Sequence, residues 1–182
     1  MKKQESGTTP KLSTKTESTE SLKELFTDGI RDLYWAENHL VKSLPKMISA
    51  AGSPSLKKAI EAHLAETKGH VGRIVQIFEL LGVKAVAKKC DAMEGLTKEG
   101  EGIIEETEQG TAARDLGIIM ASQKVEHYEI ASYNGLLKLS AQLALTDVGE
   151  LLAQTLSEEK LADEKLADIA GNEIEYPITE KA

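Results

Sequence analysis

The sequence predicts an all-α protein: a four-helix bundle with a crossover connection that carries a short extra helix. Three observations predict it. Four long segments repeat apolar residues three or four positions apart. Ala, Leu, Glu, Lys and Ile carry much of the chain, while aromatics make up 4% and prolines number 4. Each segment also starts or stops on residues that cap or break helices. The expected helices cover 21–51, 54–81, 112–143 and 148–170.

Residues 1–20 are Lys, Ser, Thr and Glu with almost nothing apolar, a composition that cannot bury enough surface to order itself. The bundle is expected over 21–171, and 172–182 reads as a second short tail. Ser21-Leu22-Lys23-Glu24 has the pattern of a capping box. Phe26, Ile30, Leu33, Leu40, Leu44 and Met47 then mark one helical face, with Pro45 expected to kink the last turns and Gly52 to stop them. Ser53-Pro54 restarts the chain as a cap followed by proline in the first turn, and Gly82 closes this second helix. The stretch from Val83 to Gly110 is too long for a tight hairpin and reads as the crossover, with a short helix around Leu96, Ile103 and Ile104. Ile118, Val125, Leu136 and Leu139 set the next stripe; Val148, Leu152, Leu156, Leu166 and Ile169 set the last, with Asp147 as its expected cap.

Carboxylates interrupt these stripes. Glu37, Glu66, Glu129 and Glu159 each fall on or at the edge of an apolar face. One turn on, His70 follows Glu66 and Asp163 follows Glu159, so each pair points the same way. The halves also match in layout: Glu37 to Glu66 is 29 residues and Glu129 to Glu159 is 30. A lone glutamate on a stripe usually snorkels or pairs with a lysine. Several converging on one core cost too much to keep without a counter-charge, and a bound cation supplies one. Two helical hairpins related by a pseudo-two-fold would bring these residues to one level, which is how carboxylate-bridged two-metal bundles are built.

The roles expected from spacing are Glu66 and Glu159 as bridging ligands, hence the residues carrying catalysis, and Glu37 and Glu129 as terminal ligands. His70 and Asp163 would complete one ion each, with Glu126 supplementary. His63, central on the second stripe, is either a partner behind the ligands or a satisfied core histidine. His127 points outward on any regular helix, and Cys90 and Met93 read as packing residues. Carboxylates with imidazole suit iron or manganese better than zinc or copper(I), and calcium prefers loop oxygens. The usual iron motif places histidine three residues after glutamate. Here that position is Gly69, and His70 stands one further on.

Composition bounds the remaining possibilities. A net charge of −8 argues against a general nucleic-acid binder. One cysteine excludes an intramolecular disulfide and a cysteine zinc site. No apolar run follows Lys2 and Lys3 as in a secretory signal, and none approaches the about 18 residues of a membrane span. The expectation is a soluble cytoplasmic protein.

Several stretches resemble the YciE/YciF family of ferritin-like bacterial stress proteins. They are Asp32-Leu33-Tyr34-Trp35-Ala36-Glu37, His63-Leu64-Ala65-Glu66-Thr67, Cys90-Asp91-Ala92-Met93-Glu94-Gly95-Leu96, Val125 to Tyr133 and Glu158-Glu159-Lys160. The fourth, Val-Glu-His-Tyr-Glu-Ile-Ala-Ser-Tyr, is the most specific, and the resemblance covers nearly all of the bundle and none of the tail. It implies a ferritin-like fold, a homodimer, a di-iron site on Glu37, Glu66, Glu126 or Glu129, and Glu159, and a ferroxidase role with O2 or H2O2 in stress physiology. The rival expectations are a di-manganese, catalase-like enzyme and a non-catalytic bundle acting through metal binding or association.

Overall fold

The computed structural model describes residues 19–175. The tail expected over 1–20 lies outside them up to residue 18, and the C-terminal tail from residue 176. Five helices follow in order: α1 Thr19–Ala50, α2 Pro54–Leu80, α3 Asp91–Glu106, α4 Ala112–Gln142 and α5 Thr146–Asn172. There is no strand among the described residues. No helix is long and apolar enough to cross a membrane.

Local chemistry explains most boundaries. α1 starts at Thr19, two residues before the expected cap at Ser21, and runs on through Pro45. Its end is tied to α4: the backbone N–H groups of Gly52 and Ser53 donate to the Asp115 carboxylate at 2.7 and 2.8 Å. A side chain at Gly52 would meet that carboxylate and the Gly110 backbone, each at a tight 3.2 Å, so glycine eases the close approach. Ser53 caps α2 by accepting from Leu56 N–H, with Pro54 in the first turn. Gly82, at φ +66°, turns the chain out of α2. The short helix of the crossover is 16 residues long and begins on Cys90, whose sulfur accepts from Met93 N–H. α5 starts at Thr146 after Leu145, with no side-chain cap; Asp147 lies in its first turn instead of capping it, where a negative charge still suits the helix dipole.

α1 packs on α2, α4 on α5, α2 on α5 and α1 on α4, which closes a four-helix ring, while α3 lies across α1 and α4. The apolar interior falls into two clusters. One contains Leu40, Leu44, Leu56, Ile60, Ile118 and Ile169. The other contains Phe26, Ile30, Leu33, Ile74, Phe78 and Leu152. Each helix of the ring changes cluster midway: α1 between Leu33 and Ala36, next to Glu37, α2 between Ile60 and Ile74, α4 between Val125 and Tyr133, and α5 between Leu156 and Leu166. At these changes lie Glu37, His63, His70, Glu126, Glu129 and Glu159, all buried. A polar layer is thus clamped between two apolar ones, each buried large side chain adding about 1.5–3 kcal/mol.

Candidate metal centre

Six residues from four helices meet in this layer and form two groups. Glu37, His70 and Glu159 make one; His63, Glu126, Glu129 and Glu159 make the other. In each group one donor atom per residue lies within 4.8 Å of all the others, and Glu159 belongs to both. Glu37, Glu129, Glu159 and His70 are 0% exposed and Glu126 is 2% exposed.

The first group is braced from behind. His70 Nδ1 stands 3.0 Å from Glu159 Oε1 and 3.4 Å from Glu37 Oε2. Its Nε2 is 2.9 Å from Glu158 Oε2, so the N–H on that nitrogen donates outward and Nδ1 faces the carboxylates. Arg73 grips both Glu158 oxygens, at 2.5 and 2.8 Å. A carboxylate behind an imidazole fixes tautomer and ring orientation in metal sites, and here the bidentate arginine fixes the carboxylate in turn. Tyr133, fully buried, donates its hydroxyl to Glu37 Oε1 at 2.5 Å.

The second group has no such bracing. His63 Nε2 stands 3.4 Å from Glu126 Oε1, and Nδ1 is 3.9 Å from Glu66 Oε2. Neither ring nitrogen has a hydrogen-bond partner, nor has either oxygen of Glu129. Among the described residues, every buried side-chain nitrogen or oxygen without a partner belongs to these six residues, except Arg31 Nε. A buried polar atom left unpaired costs about 1–3 kcal/mol, more when charged. They cluster at one level, and this set of carboxylate and imidazole donors could hold metal ions.

Protonation reports the same crowding. Burial pushes the Glu129 carboxyl well above the usual range, and the charges of Glu37, Glu159 and Glu126 push it further. Burial likewise raises Glu126, with His63 opposing and Glu159 adding. Glu37 is raised by burial against the pull of His70. Burial alone would lower both imidazoles. Glu126, Glu66 and Glu159 instead carry His63 up to about 9, and the hydrogen bonds of Glu159 and Glu37 carry His70 up to about 10. Raised carboxyls facing raised imidazoles favour protonated forms in the metal-free cluster, and a cation would compete with those protons.

The structure departs from the spacing argument at two residues. Glu66, expected as a bridge, has a side chain 47% exposed and lies in neither group. It sits about 60° round α2 from His63 at 3.6 residues per turn, which carries it off the buried face. His63 takes the inward place. Asp163, expected to complete an ion, is also outside both groups: it accepts from Gln123 at 3.0 Å and pairs with His127 at 3.3 Å. Its offset of about 40° from Glu159 turns it toward α4. His127 is 70% exposed. Two residues behind the ligands, Arg73 and Glu158, went unread; an arginine one turn after His70 was the available signal. Cys90 is buried, 2.9 Å from the Tyr128 hydroxyl, which itself donates to Asp32.

The fold is that of a ferritin-like helical bundle, and its buried layer of four carboxylates and two imidazoles takes both histidines from α2. The chain belongs to the family described as "Domain of unknown function (DUF892)", which matches residues 21–178, and within it to the YciE/YciF proteins. It is 42% identical over 163 residues to Protein YciF of Escherichia coli strain K12, covering 89% of this chain and 98% of that protein. The crystal structure of the E. coli stress protein YciF superposes with a TM-score of 0.80 at 43% identity, covering 83% of this chain and 95% of that one. YcfI of Rhodopseudomonas palustris, proposed there as a structural protein, gives 0.78 at 35% identity, over 85% and 98% of the two chains.

Proposed function

We propose that this protein is a di-iron carboxylate protein that oxidises Fe(II) with O2 or H2O2 in stress protection, acting in the cytoplasm as a homodimer. One observation carries the reading: two groups of buried carboxylate and imidazole donors, each with at least one atom that has no hydrogen-bond partner, share Glu159. Glu37 and His70 would hold one ion, His63, Glu126 and Glu129 the other, and Glu159 would reach both. Four carboxylates with two imidazoles suit iron, with manganese as the alternative metal. Two Fe(II) ions held together supply the two electrons that a peroxide O–O bond takes up when it breaks. Arg73 and Glu158 keep His70 Nδ1 aimed inward, Tyr133 holds Glu37, and the two apolar clusters flank the layer. The stress-protein description of E. coli YciF supports the physiological part.

The test is anaerobic Fe(II) titration followed by oxidant. Two Fe(II) bound per chain and rapid Fe(III) formation are expected, with both lost in Glu159→Ala. Two ions bound without Fe(III) formation would make the protein a metal-binding bundle rather than an enzyme. Peroxide disproportionation by the manganese-loaded protein, without iron turnover, would favour a catalase-like role.

A further inference from the structure

Each imidazole of the buried layer has a carboxylate on its outer side, and the two carboxylates differ. Glu158 stands 2.9 Å from His70 Nε2, with both its oxygens gripped by Arg73. Glu66 stands 3.9 Å from His63 Nδ1, its side chain half-exposed. Its one ion-pair partner among the described residues is His63. A groove of about 390 Å³ between α2, α4 and α5 is lined both by the exposed Glu66 and by the buried His63 and Glu126. Four charged side chains besides Glu126 line it: Lys58, Glu66, Lys165 and Glu173. Lys165 and Glu173 pair with each other at 3.3 Å. Lys58 precedes Glu66 by two turns of α2, about 12 Å along the axis. The approach to His63 is left with the negative charge of Glu66.

The His63 ring lies between an outer and an inner carboxylate. Nδ1 faces Glu66 Oε2 at 3.9 Å, and Nε2 faces Glu126 Oε1 at 3.4 Å. Neither nitrogen has a hydrogen-bond partner, and both are shut off from solvent. The ring therefore closes the inner end of the groove. Turning it breaks no hydrogen bond, whereas turning His70 breaks the one to Glu158. A separation of 3.9 Å is too long for a hydrogen bond. It lies within the about 4.3 Å that two donors span on one ion when each is about 2.0–2.2 Å from it. Two donors are fewer than each inner group offers, so an ion there is held weakly and moves on.

We propose that Glu66 is the entry site for divalent cations. It takes the ion from solvent and shares it with His63 Nδ1, and the turning ring passes the ion to Glu126 and Glu129. The inference rests on the reading of the buried layer as a metal centre and adds the route by which that centre fills. An entry site lies on the path in and on the path out, so Glu66 sets the rates of binding and release and leaves the affinity alone.

The probe is Co(II) alone, mixed with the metal-free full-length protein in a stopped-flow instrument and followed by its visible absorbance. In Glu66→Gln the binding rate should fall about tenfold, the lower end of what a charged approach contributes. Release into excess EDTA should slow by the same factor, so that the calorimetric affinity stays within about threefold of wild type. Glu61→Gln removes the same charge from an exposed position of α2 outside the groove, and should leave both rates within about twofold. Three results would overturn the proposal: a wild-type binding rate in Glu66→Gln, an affinity loss that matches the fall in rate, or equal slowing in both variants. The second would make Glu66 a resident ligand, and the third would reduce it to one charge in a general field. Wild-type protein that takes up no Co(II) would remove the metal centre and its entry site together. Co(II) bound normally but at rates indifferent to Glu66 would remove the entry site alone.

Discussion

The two halves of the candidate metal centre are built to different standards. Around Glu37 and His70 each ligand is held by a second residue: Tyr133 on Glu37, Glu158 on His70, Arg73 on Glu158. Around His63, Glu126 and Glu129 there is no comparable brace, and the groove runs up to them. A braced imidazole needs no reorganisation to bind, whereas unbraced carboxylates can shift between terminal and bridging positions. The contrast teaches that equal burial does not bring equal support from neighbouring hydrogen bonds. The first position should hold its ion tightly, and the second should exchange its ion and meet the oxidant.

The largest break of the contrast comes at the residue common to both sides. Glu159→Ala should weaken both ions by more than the about 100-fold seen for losses behind the ligands, since it removes a ligand from each. Calorimetric Fe(II) or Mn(II) titration would read this as loss of both binding events. The metal-free variant should melt lower than wild type, because the buried pairing of His70 Nδ1 with Glu159 at 3.0 Å is lost. Next come the braces. Arg73→Ala or Glu158→Gln should cost the tighter ion about 10–100-fold and leave the weaker one within a few-fold. Equal losses at both positions would erase the distinction drawn between them. Tyr133→Phe removes a hydrogen bond from one ligand only and should destabilise the folded protein by about 1–3 kcal/mol in chemical denaturation.

Acidity separates the metal-free protein from the loaded one. Glu37, Glu126 and Glu129 have raised pKa values when folded, so above their ordinary value of 4.5 the folded state holds protons that the unfolded state has released. His63 and His70 do the same between 6.5 and about 9 or 10. Where the folded state binds more protons, stability falls as pH rises. The melting temperature of the metal-free protein should therefore decline from about pH 5 to pH 10, the histidine share fully present below 6.5 and lost through 9–10. Metal displaces the same protons, so the gain from Fe(II) or Mn(II) should grow from pH 5 to pH 7. A metal-free protein that becomes more stable over that range would contradict the protonated cluster. The smallest effects belong to Glu66→Ala and Asp163→Ala, which should change ion affinity less than about threefold, since exposed or edge charges contribute little.

Much of this was legible in the sequence. The helical stripes gave four helices whose ends differ from the observed ones by a few residues, because cap and stop residues act locally. Glu37, Glu129 and Glu159 sit centrally on their stripes and are buried. Glu66 and His63 show where the reading ran out. An apparent repeat of 29 and 30 residues favoured Glu66, yet a difference of about 60° round the helix decided for His63. Asp163 likewise lies outside both groups, against Gln123 and His127 on the neighbouring helix. The Arg73–Glu158–His70 chain joins α2 to α5 across 85 and 88 positions of sequence, a separation at which spacing carries no signal.

The most direct measurement is an anomalous-scattering map of crystals soaked in Fe(II) under anaerobic conditions, collected at the iron edge. Two peaks should appear in each chain, one against Glu37 and His70, the other against His63, Glu126 and Glu129, with Glu159 touching both. A single peak, no peak, or peaks held by Glu66 or Asp163 instead of Glu159 would contradict the shared-carboxylate centre.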